Sequence, residues 1–210
     1  MSGTIGKVTA LITRLKGEQR QLLLIQHPYA GIQIPAGTIE PDETPEQAVL
    51  REASEETGLS GLPVAAYLGN EQVSLPPDQR AILRTTTIYA RPDETSFDWA
   101  HLPRGTGVTL TGRRQGAWRQ ICFQEPDRVP DPQYVSMEII GWVPEEMLAN
   151  RRTRHFYLLS GDSTSDEWDT RADSHTFHLF WAPLGDLPAI IPPQDRWLDW
   201  LSTGRPLLSP

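Results

Sequence analysis

The stretch from Thr44 to Gly58, TPEQAVLREASEETG, constrains the fold more than any other part of the chain. It carries the signals for both ends of a helix. Thr44 is a good N-cap, Pro45 suits the first helical position, and Gln47 can return a hydrogen bond to the cap. Gly58 can adopt the left-handed backbone that closes a helix. A helix is therefore expected from Pro45 to about Thr57. On a wheel of about 100° per residue, Arg51, Glu52, Glu55 and Glu56 share one arc of about 140°, with Val49, Leu50 and Ala53 on the other side. The apolar side is free to cover a sheet.

The polar side is unfavourable as it stands. Glu52 precedes Glu55 by three residues and Glu56 by four, and both spacings make neighbours on a helix surface. Like charges so placed destabilise a helix by roughly 0.2–0.5 kcal/mol per pair, and Arg51 offsets only part of that. Many Glu-rich faces are simply solvated. A divalent cation, however, turns the repulsion into coordination, and carboxylate oxygens suit Mg²⁺ or Mn²⁺. Glu43, in the loop before the helix, can reach the same rim.

Around this helix the chain reads as short strands. Gly6 to Leu15 and Gln21 to Gln26 suggest a hairpin, and Ile32 to Ile34 a short strand before the break at Pro35-Ala36-Gly37. Further strands are expected at Val64–Leu68, Leu83–Ala90, Gly107–Leu110, Trp118–Phe123, Phe156–Leu159 and Thr176–Trp181. Pro144 to Asn150 reads as a short helix. Asp195 to Leu201 reads as another, with Trp197, Leu198 and Leu201 on one face. Strands with helices packed on them imply an α/β fold with a mixed sheet.

Gly37, Glu43, Arg51, Glu52, Ala53, Glu55, Glu56, Gly58 and Leu59 fill every fixed position of the pattern G-x5-E-x7-R-E-U-x-E-E-x-G-U, with U aliphatic. In this the chain resembles the Nudix hydrolase superfamily. The resemblance implies an α/β/α sandwich and a loop–helix–loop in which Glu52, Glu55 and Glu56 bind divalent metal. It implies that Gly37 lets the loop backbone approach the metal. Arg51 would pair with Glu43 to fix the loop on the helix, and Gly58 would end the helix. The reaction implied is metal-dependent hydrolysis of a diphosphate linkage in a nucleoside diphosphate derivative. Glu55, Glu52 and Glu56 are the catalytic candidates, with Glu55 or Glu52 favoured as base. A base or extra ligand from the late loop Ser160 to Ser174 is the other option, with Glu167 and Asp173 as candidates beside Asp166 and Asp169. The Pro35-Ala36-Gly37 entry leans towards ADP-ribose or another nucleotide sugar. Hydrolysis of a nucleoside triphosphate or dinucleoside polyphosphate is an alternative. A non-catalytic nucleotide sensor is another, but a sensor has no need of a like-charged metal cradle.

The 210 residues suit a single domain over 1–210, and are more than the resemblance requires, so an insertion is expected at about 92–150. It holds Trp99, Trp118, Tyr134 and Trp142, with Arg113, Arg114 and Arg119. Arg113, Arg114 and Trp118 are candidate substrate contacts; the alternative is a structural subdomain with a packed aromatic core and a solvated basic turn. Arg151, Arg152 and Arg154 are read as cations at a helix end rather than a phosphate grip. His175 and His178, three apart on a strand, should face opposite ways. Cys122 is read as a buried core residue.

A net charge of −8 disfavours sequence-independent binding to nucleic acid polymers. The expected partner is a small nucleotide-like molecule, with a homodimer as a further option. The single cysteine allows no internal disulfide. The first apolar run is too short for a secretory signal, and no stretch suits a membrane span. The reading is a cytoplasmic protein with no membrane partner.

Overall fold

The computed structural model describes residues 3–129, 132–162, 165–172 and 175–203. In chain order the first strands are β1 (Gly3–Lys16), β2 (Gln19–His27), β3 (Gly31–Gln33) and β4 (Ala36–Thr38). Helix α1 (Pro45–Thr57) follows, then β5 (Val64–Ser74), β6 (Gln79–Ile82), β7 (Thr86–Tyr89) and β8 (Asp98–Leu102). The remaining strands are β9 (Gly107–Gln115), β10 (Trp118–Pro126), β11 (Val135–Pro144), β12 (Leu148–Ser160), β13 (Glu167–Ala172) and β14 (His175–Pro183), before the short helix α2 (Asp199–Thr203). The chain forms two compact units, one of Lys7–Asn70 and Arg154–Pro210, the other of Met1–Gly6 and Glu71–Thr153.

The first of these holds α1 and a sheet in the order β13-β14-β2-β1-β12, with β3 on β2, β4 on β1 and β5 on β12. Period-two alternation divides each strand between two cores. Val8, Ala10 and Ile12 of β1, Leu23 and Ile25 of β2, Tyr157 and Leu159 of β12, and Phe177 and Leu179 of β14 face one way. The apolar side of α1 covers them with Ala48, Val49 and Ala53. Leu11, Leu22, Leu24, Phe156 and Leu158 face the other way, where Trp197, Leu198, Trp200 and Leu201 cover them. Those residues come from a 3₁₀ turn, Gln194–Leu198, and from α2. Helix, sheet and helix therefore stack as an α/β/α sandwich within this unit.

The ends of α1 follow the local chemistry. Thr44 accepts from the Gln47 N–H while Gln47 returns a bond to the Thr44 N–H, and Gly58 closes the helix at φ 73°. At the loop before α1, Pro35-Ala36-Gly37 is not simply a break. Ala36 to Thr38 pair antiparallel with Thr9 to Lys7, which makes β4 a strand of the sheet.

Several expectations need correction. Only Glu145–Met147 is helical after Pro144, as a 3₁₀ turn, and β12 starts at Leu148. Arg151, Arg152 and Arg154 therefore lie on a strand. Arg154 is buried, donates to the Val8 carbonyl and the Thr9 hydroxyl, and stacks on Trp197 with 4.1 Å from Cζ to the ring centre. β13, within the expected late loop, is a strand at the end of the sheet order, paired with β14.

The other unit has its strands in the order β6-β9-β10-β11-β7-β8. It begins at Glu71, well before residue 92, because β6 and β7 pair inside it, β6 with β9 and β7 with β8 and β11. Its core is aliphatic, built on Ile82, Ile88, Leu102, Val108, Ile121 and Val143. Phe97, Trp99 and Tyr134 are exposed, so the aromatic residues are not its core. Cys122 is half-buried, next along β10 from the fully buried Ile121. No helix among the described residues is long and apolar enough to cross a membrane.

Phe156 is fully buried and stacks on Trp200 at a ring separation of 4.6 Å. Phe156→Ala should lower the unfolding free energy by about 3–5 kcal/mol, read from denaturant melts. A loss below about 1 kcal/mol would mean that the C-terminal helical segment does not close this core.

Candidate functional site

Helix α1 and strand β4 are fastened together by carboxylates. One oxygen of Glu52 accepts the Thr38 N–H at 3.0 Å, and one oxygen of Glu56 accepts the Ala36 N–H at 2.9 Å. Between them lies Gly37. A Cβ there would fall 1.8 Å from Cδ of Glu52, so any larger residue would drive the carboxylate away. The need for glycine here is steric. The strand backbone lies directly against an acid.

Arg51 is the positive centre of this cluster. Its Nε and Nη2 hold the two oxygens of Glu43 at 2.8 and 3.0 Å, and Nη2 also donates to the Thr38 carbonyl. Its Nη1 lies 3.0 Å from both Glu52 and Glu55. The fork geometry of guanidinium suits this bidentate grip on Glu43. Three carboxylates thus gather around one guanidinium, a local excess of two negative charges.

The electrostatics follow from that imbalance. Burial pushes the Glu52 carboxyl above its ordinary range, and the pull of Arg51 and the Thr38 N–H does not cancel it. The hydrogen bonds from Arg51 hold Glu43 below the ordinary range. Arg51 is held protonated, chiefly by Glu43. Exposure separates the helix acids: the Glu52 side chain is 15% exposed and that of Glu55 57%.

Among the described residues no three His, Cys, Asp or Glu side chains are grouped as a ready cation site. The donor set nonetheless suits a hard divalent cation. It is made of carboxylate oxygens, short of positive charge, and backed by a glycine that leaves them room. A cation here would compete with Arg51 for Glu52 and Glu55.

The other sequence candidates are dispersed. Glu167 and Asp169 meet His178 at 3.7 and 2.9 Å. Trp168, between them on β13, donates from Nε1 to the Thr57 carbonyl at the end of α1. By strand alternation Glu167 and Asp169 therefore point away from α1, so the structure does not bring Glu167 to the helix acids. Asp166 is taken by Arg14 and Lys16. Asp173 lies outside the described residues. Arg113, Arg114 and Trp118 belong to the other unit. There Arg113 is exposed, Arg114 lies 3.2 Å from Glu145, and Trp118 packs edge-on against Tyr89.

Sequence reasoning misses Lys7. Its Nζ donates to the Thr38 hydroxyl at 2.5 Å and brings a second cation to β4. Nothing in the sequence distinguishes it from Arg14 and Lys16 of the same strand, and it stands 30 residues before Gly37.

The NUDIX domain family matches residues 6–105. No curated protein matches the chain in sequence. Among solved structures the chain is similar to a Caenorhabditis elegans Ap4A hydrolase in a binary complex. The identity is 13%, the coverage 94% of this chain and 95% of that one, and the TM-score 0.47. It is also similar to the NUDIX domain of Shewanella oneidensis NrtR complexed with ADP ribose, at 16% identity, 96% and 88% coverage and a TM-score of 0.44. A MutT protein from Methanosarcina mazei Go1 gives 16% identity, 96% and 92% coverage and a TM-score of 0.37. Likenesses this distant fix neither a substrate nor a shared site.

The Arg51 clamp makes a pH-dependent prediction. The folded pKa of Glu43 lies below its unfolded value of about 4.3, so its contribution is complete above that pH and fades as pH falls through the folded value. Glu43→Gln should cost about 1–2 kcal/mol at pH 7, and the gap from wild type should close towards pH 2. Thermal melts across that range check it. A gap that stays constant in acid would rule out the ionised pair as its source.

Proposed function

We propose, from the premise that the chain belongs to the Nudix superfamily and is a pyrophosphohydrolase, that it splits the diphosphate of a nucleoside diphosphate joined to a second moiety. ADP-ribose or another nucleotide sugar is the favoured substrate class. The reading is carried by one observation: Glu52 and Glu56 grip β4 on either side of Gly37, which concentrates carboxylates at one point.

Glu52, Glu55 and Glu56 are the residues that would hold divalent metal, with Mg²⁺ first and Mn²⁺ second. When bound, the metal neutralises phosphate charge and lowers the pKa of water. The chain's own residues have separate tasks. Gly37 gives the Glu52 carboxylate its room. Glu43 anchors Arg51, and Arg51 holds the Thr38 carbonyl, so the loop backbone keeps its position beside the helix. Lys7 adds positive charge beside an anionic substrate. Glu55 is the proposed base, because it is the more exposed of the two favoured acids and can exchange a proton with water.

A substrate panel tests this, with nucleotide release followed with Mg²⁺ present and after chelation. Turnover should require the metal, and Glu55→Gln should lower kcat by about 10²–10⁴-fold with unchanged circular dichroism. Tight nucleotide binding without turnover on any substrate would favour a sensor instead.

A further inference from the structure

The unit that carries α1 also carries a group of rings of which only Phe177 belongs to a core and none to the carboxylate cluster. His27 ends β2, Tyr29 follows in the turn, and His175 and Phe177 lie on β14. The His27 ring centre lies 5.4 Å from that of His175 and 5.2 Å from that of Phe177. Tyr29 lies 6.3 Å from His27 and 5.9 Å from His175, both edge-on. Phe177 is buried beneath this group as part of the core under α1. Tyr29 is 59% exposed.

We propose that these four rings form the subsite for the nucleobase of the substrate. The proposal rests on the hydrolase reading and extends it to how the substrate is recognised. Three features carry it. First, the rings meet tilted or edge-on, and Tyr29 leaves aromatic surface open to solvent, which is what a flat heteroaromatic ring requires. Second, Nδ1 of His27 accepts the Tyr29 N–H at 3.0 Å. That bond fixes the turn and puts the proton of the neutral ring on Nε2, where it can donate to a ring nitrogen or carbonyl of a base. The same bond occupies the nitrogen whose protonation a metal at Nε2 would require, so the two histidines are not a metal pair. Burial, with His175 nearby, keeps His27 on the neutral side of its ordinary range. Third, the spacing fits. His27 pairs with Gly31 across β2 and β3, and Ala36, the partner of Glu56, lies five residues further on. Five extended residues span at most about 17 Å. A nucleotide with its base on the rings can therefore extend its diphosphate towards the carboxylates. The exposed aromatics of the other unit have no such connection to the acids along the chain.

Tyr29→Ala removes an exposed ring and should leave the fold intact, while Tyr29→Phe keeps the ring. Two measurements test the proposal. In the first, KM is compared for ADP-ribose and for phosphoribosyl pyrophosphate, a diphosphate without a base. Tyr29→Ala should raise KM for ADP-ribose roughly two- to tenfold, leave kcat and the base-free compound unchanged, and be rescued by Tyr29→Phe. In the second, AMP binding without metal is followed by saturation-transfer NMR. Saturation of the adenine protons should be strong in wild type and lost in Tyr29→Ala. Hydrolysis that proceeds while adenine binding and KM ignore Tyr29 would overturn the subsite and leave the hydrolase standing. Adenine binding that depends on Tyr29, with no turnover on any substrate, would do the reverse. An equal rise of KM for both compounds, or no AMP binding to wild type, would also overturn the subsite.

Discussion

The site depends on how one guanidinium is shared. Arg51 holds Glu43 with two nitrogens and lies against Glu52 and Glu55 with the third. Without it, the acids of α1 would face one another and a loop acid with nothing between them. With it, the loop stays on the helix but the charge is not neutralised. That residual imbalance is what the proposed metal site rests on. The cluster holds its shape unaided and still has unmet demand for positive charge.

The sandwich around α1 makes this arrangement possible. One side of the helix is tied down by Ala48, Val49 and Ala53 against the sheet, so the opposite side cannot rotate away from β4. β4 in turn is held by its pairing with β1, and Lys7 of β1 reaches Thr38 of β4. Apolar packing, strand pairing and ion pairing thus converge on Ala36 to Thr38. A larger residue at the middle of these three would displace the Glu52 carboxylate from the Thr38 N–H.

How much of this the sequence discloses depends on how local the signal is. α1 is legible from cap to cap because Thr44, Pro45, Gln47 and Gly58 act within a few residues of one another. The alternating strands of the main sheet are legible for the same reason. β8 and β13 are not. Both end a sheet order, and their sequences DWAHL and EWDTRA carry charge, as edge strands do. Read without their partners, the acids of β13 resemble loop candidates for catalysis; paired with β14, Glu167 and Asp169 turn to His178. Lys7 and the aromatic group at His27 were out of reach because they are assembled by pairings between distant segments. The arginines after Pro144 lie on a strand and not at a helix end because β12 starts at Leu148, and Arg154 is a buried brace against Trp197.

The central claim is that the crowded acids of α1 draw in a divalent cation. The most direct measurement is Mn²⁺ binding without substrate, by electron paramagnetic resonance, in wild type and in Glu52→Gln and Glu56→Gln. The account predicts a site in the wild type that is lost or at least about tenfold weaker in each variant. Mn²⁺ binding of equal strength in all three proteins, or none in the wild type with the fold intact, would contradict it.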